Sequence, residues 1–364
     1  MAHTDTALQH LIERVQAAHA HKTALNIQGG NTKAFYGEKP YGEPLSLRDL
    51  TGISSYEPSE LVVTARAGTP LAELEATLAA KGQCLPFEPP RFRPGGTVGG
   101  MVAAGLSGPA RPHVGMVRDY VLGATVLNGQ GELLSFGGQV IKNVAGYDLS
   151  RALAGSMGVL GIICEVSLKV LPTPPASATL VFEMDEATAL QQLQRWAGQP
   201  LPLSASSWHA GHLHLRLAGA QAAVHAACQR LGGTQHEPDV AAEWWQLVRD
   251  HGHHFFQLDA AHLARGEELW RISVPATTPP LDLPGQSFIE WGGALRWLRG
   301  FATPKQIRAA AAQAGGHATL FHADHRHDGV FTPLSAPLLR IQRALKAAMD
   351  PAGIFNPGRL YPNL

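Results

Sequence analysis

The stretch PGGTVGGMVAAGLSGP, residues 94–109, sets the tightest limit on how this chain folds. Gly95, Gly96, Gly99, Gly100, Gly105 and Gly108 punctuate a run of small residues, so amide N–H groups can approach an anion with no Cβ in the way. A helix starting near Val98, just after Thr97, would turn its positive end toward a diphosphate. Glycine number alone describes ordinary turns equally well. Spacing is more selective: the stretch is neither GxxxxGK[ST] nor the strand-linked GxGxxG with an acidic residue about 20 positions on. What remains is a phosphate cradle outside both of those nucleotide folds.

Two other segments add to it. ALNIQ (24–28) reads as a strand entering Gly29, Gly30, Asn31, Thr32 and Lys33, a turn that offers more amides and the side chains of Asn31 and Thr32 as donors. KNVAGYDLSRALAGSMGVLGIICEV sets Gly146, Gly155, Gly158 and Gly161 around a short helix before a strand. Exposed backbone over Gly158, Gly161, Ile162 and Ile163 would suit a flat, hydrogen-bonding ring.

The remaining pattern frames these loops. TDTALQHLIERVQAAHAHK is an amphipathic helix without the apolar core of a signal peptide. LVVTARA alternates as a strand with one buried face, and Thr69-Pro70 reads as cap and first-turn proline of a helix over LAELEATLAAK that Gly82 stops. VLGATVLN and ELLSFGG flank Asn128-Gly129-Gln130-Gly131, where Asn-Gly is a hairpin signal. IICEVSLKVL alternates again, and Pro172, Pro174 and Pro175 then end the first domain. From about 177 to 330, TLVFEM, ATALQQLQRWAG, HAGHLHLRL and AAVHAACQRLGG form a βαββ unit, with ELWRISVPA through HATLFHA as a second. APLLRIQRALKAAMD is a closing amphipathic helix followed by DPAGIFNPGRL.

Lys plus Arg and Asp plus Glu both total 29, so no basic field draws nucleic acid. Cys84, Cys164 and Cys228 lie far apart, which argues against an iron–sulfur cluster, zinc ribbon or disulfide framework and fits a reducing, cytoplasmic setting. Any membrane association is expected only indirectly, through partners, since no apolar run is long enough to span a bilayer.

The ordered set GGNTK, PGGTVGGMVAAGLSGP, RPHVGMVRDYVLGATVLNGQG, KNVAGYDLSRALAGSMGVLGIICEVSLKVLP and DPAGIFNPGRL resembles the vanillyl-alcohol-oxidase, or PCMH-type, FAD-binding family. Within it the chain is similar to the smaller flavin subunits of bacterial glycolate oxidases. The resemblance implies an α+β fold: a two-lobed PCMH-type FAD-binding domain over 1–175 (lobes about 1–90 and 91–175), an α+β, ferredoxin-like cap over 176–330, and a C-terminal helix and FNPG tail over 331–364 returning to the FAD domain. It implies FAD with its diphosphate between the lobes, in contact with Gly29 to Thr32, Gly95 to Gly100 and Gly105, and with Gly158 to Ile163 lying along the cofactor. Asn356 returns toward the flavin face on this reading, beside the equal alternative of a turn that only docks the tail. The implied partners are a larger FAD-binding glycolate oxidase subunit, an iron–sulfur subunit and, through the complex, a small hydroxy-acid substrate, with glycolate oxidised to glyoxylate. The place is cytoplasmic, at the inner face of the plasma membrane where partners attach.

Two departures from the family pattern matter. Members with covalent flavin carry histidine after the paired glycines of the first loop, whereas Asn31 stands here and implies non-covalent FAD. Related catalytic subunits carry an HxGDGNxH-type cluster. This chain has GGHATLFHADHRHDGVF, with His317, His322, His325 and His327 but no GDGN core. The expectation is therefore an electron-transfer or structural flavin subunit with no assigned catalytic residue and no metal site. A self-sufficient 2-hydroxy-acid dehydrogenase using His317, His322 or His325, and a scaffold that has lost flavin, stand as alternatives. With 18 histidines in the chain, those at 251, 253 and 254 and in the HAGHLH hairpin read as surface or loop residues, and Trp244-Trp245 as helix packing. Arg91, Arg93, Arg111, His113 and Arg118 flank the main loop and read either as an anion grip or as ion-pair partners of Asp119 and Glu88.

Overall fold

The structure is a computed structural model that describes residues 5–138, 148–326, 329–362 and 364. Its first element, helix α1 (Thr6–His21), is capped by the Asp5 carboxylate and ended by Lys22 in the left-handed region. Leu11, Val15 and Ala18 fall on one side of it and are buried, as the amphipathic spacing requires. Strands β1 (Leu25–Gln28) and β2 (Glu43–Ser46) pair in parallel, and Phe355 of the tail bridges to Leu25 on the other side of β1.

A five-stranded antiparallel sheet follows, built from β3 (Ile53–Glu57), β4 (Val62–Arg66), β6 (Val121–Leu127), β7 (Leu133–Gly137) and β8 (Ile162–Lys169) in the order β3-β4-β8-β6-β7. β5 (Gln83–Cys84) and β9 (Leu171–Pro172) form a small ladder of their own. Alternation in LVVTARA predicts one buried face, but Val62, Val63, Thr64 and Ala65 are all buried. β4 is central in its sheet, and helix α3, described below, lies across β4 and β8, so both faces lose water. The polar side chains trapped there satisfy each other: Thr64 and Ser167 share a hydroxyl hydrogen bond of 2.8 Å.

One local expectation is corrected. Helix α2 (Leu71–Ala79) begins after Pro70, and the Thr69 hydroxyl caps nothing. It bonds both amide and carbonyl of Gly52, because Thr69-Pro70 is held extended against Thr97-Val98. The expected hairpin forms, with β6 and β7 antiparallel and joined by a five-residue loop, 128–132. The Asn128 carboxamide oxygen accepts from the amides of Gln130 and Glu132, and Gly131 takes the positive φ. Gly129 has a different duty: a Cβ there would lie 2.5 Å from an Asp350 carboxylate oxygen, so glycine lets the tail dock.

The second large sheet is antiparallel and eight-stranded. It uses β10 (Ala176–Glu183), β11 (Leu203–His209), β12 (His212–Gly219), β13 (Thr234–Gln235), β14 (Glu268–Ser273), β15 (Gln286–Glu290), β16 (Leu295–Gly300) and β17 (His317–His322) in the order β13-β10-β12-β11-β15-β16-β14-β17. The two expected units are thus halves of one sheet, joined where Ser207, Trp208 and His209 pair with Glu290, Ile289 and Phe288. Each half has its own apolar core beneath its helices. An aromatic cluster including Tyr36, Phe255, Phe288, Trp291, Trp297 and Phe321 joins the first 175 residues to this sheet. The Trp291 indole N–H donates to Gly108 O across that junction at 3.0 Å.

The closing helix, Ala336–Met349, returns to the five-stranded part through a buried ion pair. Lys346 Nζ lies 2.7 Å from Asp350 Oδ2 and donates to Val159 O and Phe355 O, each at 2.8 Å. Asp350 in turn accepts from the amides of Ile354 and Phe355.

Candidate functional site

The two glycine loops meet. A Cβ on Gly30 would lie 1.5 Å from Gly95 O, and one on Gly29 would lie 2.3 Å from Thr97 Oγ1, so neither position can carry a side chain at this approach. Between them and α3 (Val98–Ala104) runs a cleft of about 610 Å³ lined by Gly29, Gly30, Asn31, Thr32, Thr97 and Gly100, with Asn356 at its back.

Four arginines hold the carbonyls of the first loop and of the segment that follows it. Arg48 reaches Gly29 O and Gly30 O, and Arg93 donates to Asn31 O at 2.6 Å. Arg326, just past β17, donates to Phe35 O and Gly37 O, while Arg359 of the tail donates to the carbonyls of Lys33, Ala34, Tyr36 and Glu38. With those carbonyls held, the amides are left to the cleft. Among the described residues, the N–H groups of Gly29, Gly30, Asn31, Thr32, Gly95 and Gly96 donate to no backbone acceptor. Asn31 sits at φ +55°, which reverses its peptide and keeps the row of donors curved. A concave row of unspent amides fits a diphosphate, the group FAD would place there.

The helix contributes less than its sequence suggests. Val98 N donates to Thr69 O, Gly99 N to Ala67 O and Gly100 N to the Thr97 hydroxyl. Its first-turn amides are therefore spent on anchoring the loop to β4 and α2. A Cβ at Gly99 would lie 2.6 Å from the Ala67 Cβ, which explains that glycine by packing. Gly105, at φ +63°, ends the helix and lines a second cavity.

Gly158, Gly161, Ile162 and Ile163 do not line the cleft. Ile162 and Ile163 are buried in the sheet core, a Cβ at Gly161 would meet Val126, and Gly158 lies against the Asn356 carboxamide. The expected exposed backbone is thus packed, because β8 starts at Ile162 and pairs with β6 there. Asn356 is fully committed: its oxygen accepts from Ile27 N and its nitrogen donates to Met157 O, both at 2.7 Å. It ties the entry of the first loop to the 157–158 turn, so it acts on the cleft by fixing its walls. Gly146 lies outside the described residues, as does His327.

The second cavity, about 1340 Å³, opens where α3 ends against the eight-stranded sheet. It shares the lining residues Ala104 and Met157 with the first cleft, so the two adjoin. Arg111, Arg118, Arg271, Tyr36, Trp291 and His317 line it. His322 instead lies 5.4 Å from Phe35, and His325 is exposed with Asp324 at 3.5 Å. Among the described residues no group of three or more His, Cys, Asp or Glu side chains is arranged to hold a metal ion.

Of the other histidines, His212 and His254 are exposed, as expected, whereas His214 and His253 are buried. His251 is half-buried in the turn after its helix, stacked on Phe256, and burial drives it down to about 3; His214 stacks on Trp244 at 3.7 Å and is also driven down to about 3 by burial. Of the flanking arginines, Arg91 pairs with Glu75, and Arg118 lies 3.9 Å from Asp119. Glu88 takes Arg216 from β12 as its partner. Sequence reasoning gave no role to Arg48, Arg326 or Arg359. Only the closeness of Arg359 to FNPG hinted at one.

Comparison with known proteins agrees with this geometry. A family model described as FAD binding domain matches residues 6–137. The chain is 49% identical over 356 residues to glycolate oxidase subunit GlcE of Escherichia coli (strain K12), covering 98% of each chain. It is 29% identical over 174 residues to glycolate oxidase subunit GlcD of Bacillus subtilis (strain 168), covering 47% of this chain and 37% of that one. D-lactate dehydrogenase of Anaerostipes hadrus is 35% identical over 142 residues, 39% of this chain and 29% of that one. Among solved structures, alkyldihydroxyacetonephosphate synthase superposes with a TM-score of 0.66 at 16% identity, over 96% of this chain and 75% of the other, which shows the shared fold. The chain belongs to the GlcE family of glycolate oxidase subunits, with the PCMH-type fold, and FAD is its cofactor.

Proposed function

We propose that this chain is the FAD-holding subunit of a complex that oxidises glycolate to glyoxylate, working beside a larger flavoprotein subunit and an iron–sulfur subunit at the cytoplasmic face of the membrane. The observation that carries this is the row of unspent amides at Gly29 to Thr32, Gly95 and Gly96 along one cleft, beside carbonyls held by arginines. In the described residues no helix is long and apolar enough to cross a membrane, so attachment would run through partners.

FAD supplies the two-electron chemistry when bound. The chain's own residues hold and shield it. Gly29 to Thr32 and Gly95 to Gly96 take the diphosphate, Thr97 and Gly100 close its other side, and the adjoining second cavity leaves room for the ring. Asn31 has a carboxamide at the linking position, which forms no bond to a flavin methyl group, so the cofactor is non-covalent. The reading divides the chain into an FAD domain (1–175), a cap (176–330) and a returning tail (331–364), which is consistent with the separate sheets.

The test is native purification of the complex, with flavin and iron counted per chain. One FAD on this subunit, released into the supernatant on acid precipitation, is the expected result. A subunit without flavin in the assembled complex leaves only the scaffold reading. A self-sufficient dehydrogenase is the second reading, favoured by His317 facing the second cavity beside arginines. Anaerobic bleaching of the flavin in the isolated chain by glycolate or D-lactate would select it.

A further inference from the structure

Arg111 follows the main glycine loop and Arg271 lies on β14, yet their guanidinium groups reach one ring. Arg111 sits 4.2 Å from the Trp291 ring centroid and Arg271 5.1 Å from it. Each is stacked on an aromatic face that gives it rigidity without neutralising it. Among the described residues neither forms an ion pair; the Arg111 side chain reaches Met116 Sδ at 3.6 Å, and the Arg271 side chain makes no hydrogen bond. Arg118 and His317 complete the same wall. Burial, then the charges of Arg271 and Arg118, hold Arg111 down at about 10 against the pull of Asp119, and burial, then Arg271 and Arg111, lowers His317. Glu290 lies behind Arg271 in an adjoining small cavity, buried and bonded to the Trp297 indole. Gathering like charges into a half-buried cavity is unfavourable unless an anion joins them.

We propose that this cavity is a carboxylate site, in which Arg111 and Arg271 grip a small hydroxy acid or its keto product beside the flavin cleft. The identity of the anion rests on the glycolate-complex reading above, whereas the site itself rests on two guanidinium groups that meet at one ring with no ion pair of their own. Trp291 fixes their separation, its own N–H being spent on Gly108 O. His317 lines the same space, and burial beside Arg271 and Arg111 disfavours its charged form.

The experiment is calorimetric titration of the full chain with oxalate, which has carboxylates but no C–H bond to oxidise. Arg111→Gln and Arg271→Gln are each expected to weaken oxalate by about tenfold or more, the scale of a lost charge-assisted contact. Exposed Arg195, on the helix Glu186–Ala197, serves as control, and Arg195→Gln leaves the affinity unchanged. Should a variant misfold, dicarbonyl labelling of the wild-type chain answers the same question: oxalate shields Arg111 and Arg271 but not Arg195. Absence of oxalate binding, unchanged affinity in both variants, equal affinity for inorganic phosphate, or no shielding would each overturn the proposal. Flavin is read separately from the visible spectrum. A flavin-free chain that still binds oxalate through these arginines keeps this site and sinks the flavin-subunit reading; a flavin-loaded chain that does not bind it does the reverse.

Discussion

Gly30 and Arg359 show how single residues shape the cleft. At Gly30 the limit is contact with Gly95 O, so Gly30→Ala must push the loops apart. FAD affinity is expected to fall by roughly a hundredfold, about 3 kcal/mol, measured by flavin retention on dilution. Arg359 is buried and spreads its donors over carbonyls from Lys33 to Glu38. Arg359→Ala leaves those acceptors without partners and should cost about 2–4 kcal/mol in a urea melt. It should also weaken FAD, because the loop's amides lose their fixed direction. Retained stability together with retained flavin affinity would rule out the arginine grip as the cause of loop geometry. Glycine spacing in the sequence marks where the backbone must come close. It says nothing of which distant cations turn the carbonyls away, since Arg48, Arg93, Arg326 and Arg359 come from four separate segments.

Among elements, the closing helix is the one whose docking rests on a buried charge. Lys346 and Asp350 occupy one helical turn, and together they satisfy Val159 O, Phe355 O and the amides of Ile354 and Phe355. Burial pulls the Lys346 ammonium below its usual range while Asp350 pulls it back. Asp350→Ala strands that ammonium and is expected to cost about 3–5 kcal/mol, seen as a lowered denaturation midpoint. Because the tail also supplies Asn356 and Arg359, the same variant should shed flavin. The helix itself was readable from its apolar spacing, and the hairpins from their alternation. The start of α2 and the first turn of α3 were not, because both are decided by pairing between Thr69-Pro70 and Thr97-Val98. Local sequence reports a segment's preference, and a neighbouring strand then overrides it.

For the whole molecule, the junction between the sheets sets a pH window. Burial raises Glu290 to about 7, so its contribution to stability is full below its unfolded value near 4.5 and is lost as pH rises through about 7. His251, lowered to about 3 by burial, acts in the opposite sense: its contribution is present above about 6.5 and is lost as pH falls toward 3. With these two groups the opposite slopes cancel between about pH 4.5 and 6.5, so stability should be highest across that window and fall on either side of it. Glu290→Gln keeps an acceptor for the Trp297 indole and should gain up to about 3 kcal/mol at about pH 8 with little change at about pH 5, in parallel urea melts. A gain of equal size at both pH values would show that titration of Glu290 is not the cause. The sequence by itself determined the strands and helices, the family and the FAD cradle, because periodicity and glycine spacing are local properties carried by contiguous residues. Tertiary structure alone decided that the two βαββ-like halves join into one sheet, that the amides of the first loop rather than of the helix remain unspent, and that Arg111 and Arg271 meet over Trp291. Those outcomes depend on which distant surfaces exclude water together, and neither spacing nor composition encodes that.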